Sequence, residues 1–190
     1  MCRENGKECY FFTQKPPKDK SAIHIWLGKV NLSHEQHLRQ VLSHYLDCSS
    51  INIATSTEGK HYLPDSSLHF NLSDSDDWLA IAFSWEAPVG IDIETIRSIE
   101  GTKQIILDNF SPKEQTFVNS PNDSEANDYL GRFWEIWNRK EACLKALGIG
   151  LQDNMSHWDC CGEDWIFVNK VWVRSVPMRH NLSAAVAIHL

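Results

Sequence analysis

No segment of this 190-residue chain holds the roughly 20 consecutive apolar residues that span a bilayer as a helix. The opening stretch, MCRENGKECYFFTQKPPKDKS, has no apolar run of signal-peptide length either. These two absences lead to the expectation of a soluble, cytoplasmic protein. Zinc-type cysteine spacing is missing too. Cys2, Cys9, Cys48, Cys143, Cys160 and Cys161 include no pair with two residues between them, and the last two are adjacent. Reduced thiols are therefore expected. Basic charge is in deficit, 18 Lys and Arg against 25 Asp and Glu, for a formal net charge of −7. That balance argues against a broad nucleic-acid footprint. Also absent is a Gly-rich phosphate loop of the G-x-x-x-x-G-K type, so any phosphate must be held by other means.

What the chain does hold is core-forming material. Hydrophobic residues make up 42%, with 8 Trp and 8 Phe, enough for one well-filled domain or two small halves. Residues 1–21 read as an irregular lead-in, broken at Pro16-Pro17. AIHIWLGKV (22–30) alternates as a strand. LSHEQHLRQVLSHYLD (32–47) predicts a helix, with Ser33 as N-cap and Gln36 completing a capping box. INIAT (51–55), LHFNLS and WLAIAFSW (78–85) predict strands, the last apolar enough to be buried on both faces. PVGIDIE (88–94) follows as another. Helices are predicted at 101–110, at 111–119 behind Ser111-Pro112, and at about 125–147, stopped by Gly148. DWIFVNKVWVRSV (164–176) and LSAAVAIHL (182–190) finish the chain as strands. The rhythm predicts an α+β fold of two related α/β halves, 22–85 and 86–190.

Asp92 and Glu94 are set into a run of Val and Ile. On a strand they project to one face while Ile91 and Ile93 face the other. Taken alone, the pair could be the polar face of an amphipathic strand. The long helix adds to it. On a helical wheel Glu141 falls between Leu130 and Trp134, just inside the apolar stripe, with Lys145 on its polar border. A carboxylate placed there needs a partner. Three carboxylates suit Mg²⁺, which shares its shell with substrate phosphates. A lysine beside them would stabilise charge on a transferring phosphoryl group. The residues by themselves point to a Mg²⁺-dependent enzyme acting on a phosphate or pyrophosphate.

VGIDIE (89–94), followed forty-odd residues later by WNRKEACLK (137–145), resembles the paired signature of the Sfp-type 4′-phosphopantetheinyl transferases, G-(I/V)-D and W-x-x-K-E-(A/S)-x-x-K. EGKHYLP resembles the family's G-K-P loop, and FNLSDS its F-N-(I/L)-S-H-S block. The resemblance implies a pseudo-twofold pair of α/β halves with coenzyme A (CoA) in the cleft between them. It implies transfer of the 4′-phosphopantetheine arm of CoA to a serine of an apo acyl or peptidyl carrier protein, leaving adenosine 3′,5′-bisphosphate. Asp92, Glu94 and Glu141 would bind Mg²⁺ with the pyrophosphate, and Glu141 would take or position the serine proton. Lys145 would hold the pyrophosphate, and Lys140 would face phosphate or carrier. Lys60 and Ser73 would line the nucleotide end of CoA.

Several positions depart from the family pattern. Asp74 stands where the family has a phosphate-binding His. The basic stretch before the first long helix is shortened, leaving Arg39 and Lys29 as the nearest cations. Asn138 replaces Ser or Thr, and His61 follows Lys60 where the family has Pro, a candidate substitute contact to CoA. Weak recognition of the CoA 3′-phosphate is the consequence expected. Arg132, Arg139, Lys140 and Lys113 are the candidates for a positive patch that would receive an acidic carrier protein. A monomer is expected, because a chain built of two halves has less need to dimerise. Two other readings stay open: a relative that binds CoA or carrier proteins without transfer, and an unrelated Mg²⁺-dependent phosphotransferase.

Overall fold

The structure, a computed structural model, describes residues 8–14, 16–46, 50–120, 126–150, 155–179 and 181–190. Cys2, Cys48, the first seven residues of the lead-in, and the predicted helix start at 125 lie outside the described residues. In chain order the elements are β1 (Cys9–Phe12), β2 (Ile23–Lys29), α1 (His34–Leu42), β3 (Ala54–Thr55), β4 (His61–Tyr62), β5 (His69–Ser75), β6 (Trp78–Ser84) and β7 (Val89–Thr95). Then come α2 (Thr102–Asn109), α3 (Pro112–Val118), α4 (Ala126–Leu147), β8 (Ile166–Val168), β9 (Val171–Ser175) and β10 (Leu182–Ile188). The fold is mixed α/β. One four-stranded sheet has the order β1-β2-β6-β5, a second the order β7-β10-β9-β8, and β3-β4 form a small ribbon.

Period-two alternation builds the layers. Ile23 and Ile25 of β2 and Ala80 and Ala82 of β6 meet Val89, Ile91 and Ile93 of β7 and Leu182, Ala184, Val186 and Ile188 of β10 in one apolar layer between the sheets. The intervening residues point outward. Leu79, Ile81 and Phe83 pack under Leu38, Val41 and Leu42 of α1. Ala185, Ala187, Val171 and Val173 pack under Ala142, Cys143, Leu144 and Ala146 of α4. β6, apolar on both faces, is accordingly central. A fourth cluster, including Phe110, Val118, Phe133 and Ile136, fastens α2 and α3 to α4.

The local signals account for the helix ends. Ser33 and Ser111 each accept a hydrogen bond from the third backbone N–H of their helix, closing capping boxes with Gln36 and Glu114. After α4, Gly148 takes a φ of 71°, and the Ile149 N–H reaches the Leu144 carbonyl at 3.2 Å, a Schellman-type stop.

Four expectations need correction. The lead-in is not wholly irregular, since Cys9–Phe12 pairs in parallel with β2; four residues are too few for a periodic signal to register. INIAT is a strand only at its last two residues. The first helix is shorter than expected, ending at Leu42, with a turn following. The segment 164–176 is a hairpin, not one strand: Asn169 and Lys170 take φ of 47° and 68°, the double left-handed turn that matches the twist of paired strands.

Candidate active site

The site begins where α4 crosses β7. A Cβ on Gly90 would overlap the backbone of Ala142 and Ala146, so only glycine lets the helix lie this close to the strand. Two residues further along the same face of β7 come Asp92 and then Glu94. Asp92 is buried and Glu94 half-buried. Ile91 and Ile93 point the other way, into the layer between the sheets.

The other wall is β5. It ends the first sheet as β7 ends the second, and its side chains serve the free edge of β7. Asn71 Oδ1 accepts the Ile91 N–H at 2.9 Å, Ser73 Oγ the Ile93 N–H at 3.4 Å, and Ser75 Oγ the Thr95 N–H at 3.0 Å. Ser73 also donates to Asp92 Oδ1 (3.0 Å), and Ser75 to Glu94 Oε2 (2.8 Å).

From α4, Lys145 completes this group. Its ammonium donates to Asp92 Oδ1 at 2.6 Å and to Ser73 Oγ at 2.9 Å. Two acceptors are left over. Among the described residues Asp92 Oδ2 and Glu141 Oε1 are buried and have no hydrogen-bond partner, a condition that costs a carboxylate the loss of water without replacement. The electrostatics follow. Burial pushes Asp92 above the usual carboxylate range, and Lys145 and Ser73 pull it back. Glu94 is raised by burial and the Asp92 charge, and lowered by the Ser75 hydroxyl and by the more distant Arg97 and Lys145 charges. Glu141 is pushed up to about 7 by burial and by the charges of Asp92 and Glu94, against the pull of Lys145.

Oxygen donors with unpartnered lone pairs fit Mg²⁺ in kind. The cage, however, is not closed. Among the described residues no group of three or more His, Cys, Asp or Glu side chains is arranged to hold a metal ion. Lys145 and Ser73 hold one oxygen of Asp92, and Ser75 holds one of Glu94.

The remaining sequence candidates are scattered. Lys60 lines a cavity of about 380 Å³ together with His61, His69, Leu147, Gly148 and His189. Its ammonium is spent on the carbonyls of Lys145 (2.5 Å), Val89 (3.3 Å) and Ala146 (3.4 Å). It thus caps the C-terminal end of α4. Burial pulls it down to about 8, and those carbonyls, which favour the charged form, work against that pull. His61 is exposed on β4 and bonds Thr55 Oγ1 at 3.0 Å. Ser73, expected at the nucleotide end, stands in the carboxylate group instead. Asp74 follows it on the opposite face of β5, exposed and 3.7 Å from His34 at the start of α1. Arg39 bonds Glu35 and the Ile51 carbonyl, at 2.9 and 2.7 Å. Lys29 pairs with Asp77 at 3.3 Å.

Lys140 does not face phosphate or carrier. It is fully buried, pairs with Glu114 at 2.9 Å, and donates to the carbonyls of Met155 and Trp158. Arg139 is buried as well, bound to Glu135, Ser175 and the Cys160 and Gly162 carbonyls. Arg132 reaches the carbonyls of Val118 and Ser120, and exposed Lys113 pairs with Asp159. The expected positive patch therefore loses Arg139 and Lys140. The reason is that Arg139 and Lys140 sit on faces of α4 covered by the rest of the fold, where both are buried. Asn138 is fully buried, and neither of its amide atoms has a partner. Sequence reasoning missed Asn71 and Ser75; alternation in FNLSDS, which puts residues 71, 73 and 75 on one face, is the signal that finds them.

Comparison with known proteins centres on the same segment. Residues 88–185 match the pattern of the 4′-phosphopantetheinyl transferase superfamily. The chain is 36% identical over 117 residues to the 4′-phosphopantetheinyl transferase Sfp of Bacillus subtilis (strain 168), covering 60% of this chain and 50% of that protein. It is 34% identical over 132 residues to the 4′-phosphopantetheinyl transferase gsp of Aneurinibacillus migulanus, covering 70% and 51%. With the 4′-phosphopantetheinyl transferase AcpT of Escherichia coli (strain K12) it shares 36% over 111 residues, covering 58% and 55%. The chain spans about half the length of the curated relatives it matches.

Proposed function

The chain belongs to the 4′-phosphopantetheinyl transferase superfamily, and from that premise we propose that it transfers the 4′-phosphopantetheine arm of CoA to a serine hydroxyl of an apo acyl or peptidyl carrier protein. The serine oxygen forms a bond to the phosphorus that bears the pantetheine. The pyrophosphate P–O bond breaks, and adenosine 3′,5′-bisphosphate leaves with the electron pair. The observation that carries the reading is the half-satisfied carboxylate group: buried Asp92 Oδ2 and Glu141 Oε1 without partners, with Lys145 beside them.

Asp92, Glu94 and Glu141 would hold Mg²⁺, which neutralises pyrophosphate charge when bound. Closing that cage asks Lys145 to leave Asp92. Lys145 is suited to such an exchange, because its ammonium would pass from Asp92 to a pyrophosphate oxygen without losing a charged partner. Glu141, pushed up to about 7 in the metal-free site and lowered again by a bound cation, would accept or position the serine proton. The cavity beside Lys60 would take the nucleotide end of CoA. With Lys60 spent on carbonyls, the described residues of its lining offer three histidines and no uncommitted Lys or Arg. A four-stranded sheet with a helix on its outer face, occurring twice, supports the pseudo-twofold arrangement, with 22–85, extended by β1, and 86–190 as the halves. Among the described residues no helix is long and apolar enough to cross a membrane; a cytoplasmic, monomeric enzyme completes the proposal.

The test is intact-protein mass spectrometry on a panel of apo carrier proteins incubated with this chain, CoA and Mg²⁺. A carrier gains one phosphopantetheine arm, and Asp92→Ala or EDTA removes the gain. One observation favours a second reading, a relative that binds without transferring: the cage is open and Lys145 closes on Asp92. CoA binding with no modified carrier would decide for it.

A further inference from the structure

We propose that Ser75 is a positioning residue for Glu94: in the row Asn71, Ser73, Ser75 that seams β5 to the edge of β7, only the two serines also hold a carboxylate. The proposal rests on the Mg²⁺ reading above for its functional consequence and on hydrogen-bond geometry for its substance.

β5 and β7 are the terminal strands of separate sheets, and an exposed strand edge leaves its N–H groups unpaired. Here the N–H groups of Ile91, Ile93 and Thr95 are each met by a side-chain oxygen of β5, always 20 positions earlier. The three rungs are not equivalent. A hydroxyl has one proton and two acceptor sites. Once Ser75 Oγ accepts the Thr95 N–H at 3.0 Å, its own proton points to Glu94, 2.8 Å away. Ser73 repeats this one step back, accepting from Ile93 and Lys145 and donating to Asp92. At the third rung the residue before Ile91 is Gly90, so Asn71 seals the edge and has no carboxylate to orient. One rung is purely a seam, and two are a seam and a clamp.

Ser75 is itself 5% exposed, so the serine end of the clamp is shielded from water while Glu94 is half-buried. It makes Glu94 Oε2 an acceptor from serine, and Oε1, which takes no bond from Ser75, is the oxygen that would meet a cation. Partners of this kind typically change metal affinity by 10–100-fold.

The full chain is titrated with Mn²⁺, and free ion is read by electron paramagnetic resonance. The same proteins are crystallised without metal. Ser75→Ala is expected to weaken Mn²⁺ binding about tenfold and to release Glu94 from its rotamer. Asn71→Ala, which breaks a rung of the same seam, leaves both within twofold of wild type. Equal binding by Ser75→Ala and wild type overturns the proposal, and so does equal weakening by Asn71→Ala. If Ser75→Ala does not fold, Ser75→Cys replaces it, with a weak S–H donor giving the same change at smaller size. If wild type binds no Mn²⁺, the metal reading fails. The crystals then decide for the clamp if Glu94 moves in the serine variant alone, and against it if Glu94 stays.

Discussion

Two buried acid–lysine groups are built on the same helix, and only one of them is finished. In the first, both oxygens of Glu114 are used: Oε1 accepts the Cys160 N–H at 2.8 Å, and Oε2 accepts the Ser111 N–H at 2.6 Å and Lys140 at 2.9 Å. Lys140 spends its other protons on the Met155 and Trp158 carbonyls, at 3.0 and 2.7 Å. In the second, Lys145 meets Asp92 and Ser73, while Asp92 Oδ2 and Glu141 Oε1 have no partner. A buried polar network that is complete rigidifies the fold, whereas one left open is held at a cost and waits for a ligand. Residue type does not separate them, since each pairs a carboxylate with a lysine of WNRKEACLK.

The widest gap between the groups should appear on removing a lysine. Lys140→Met strands the Glu114 charge in a dry site, and a broken buried pair costs about 3–5 kcal/mol. Urea unfolding measures it, and a loss below about 1 kcal/mol would erase the distinction.

The open group should instead answer to pH. The Glu141 carboxyl lies at about 7 in the fold, against 4.5 ordinarily. Between those values the folded state binds the extra proton. Glu141 therefore stabilises the metal-free fold fully below pH 4.5 and loses that contribution as pH rises through about 7. The span corresponds to on the order of 3 kcal/mol. Urea midpoints in EDTA at several pH values, wild type against Glu141→Gln, isolate it. An unchanged pH slope in the variant would mean that Glu141 does not titrate there.

The open group also depends on how closely α4 approaches β7. Gly90→Ala forces a Cβ into the helix backbone, and overpacking of this kind costs about 1–3 kcal/mol. Thermal unfolding measures that cost. A metal affinity that falls with it would tie the site to the crossing.

The smallest effect concerns the nucleotide end. Lys60 is committed to carbonyls, Arg39 and Lys29 have their own partners, and Asp74 lies beside His34. CoA should bind less than about tenfold more tightly than 3′-dephospho-CoA, a gap under about 1.4 kcal/mol. Calorimetry on both ligands checks it, and a larger preference would reveal a cation that these contacts hide.

Much of this was legible before any coordinates. Ser33 with Gln36, Ser111 with Pro112, and Gly148 announced helix ends because capping is chemistry between near neighbours. The alternation of VGIDIE put Asp92 and Glu94 on one face for the same reason. The β8–β9 turn was missed because Asn-Lys is a weaker left-handed signal than Asn-Gly. β1 escaped notice because its pairing partner supplies its order. Ser75 was readable in principle, but a serine on a strand face signals nothing until a second strand edge lies beside it.

By itself, then, the sequence determined which carboxylates and lysines α4 and β7 carry, their spacing, and the glycine that admits close packing; each depends on a few bonded neighbours and a fixed backbone period. Only the tertiary structure decided which lysine is structural and which stands at the open site. That choice is one of desolvation. Glu114 and the 155–160 segment fold over Lys140 and satisfy it completely, while β5 and β7 reach Lys145 and leave two carboxylate oxygens without a partner.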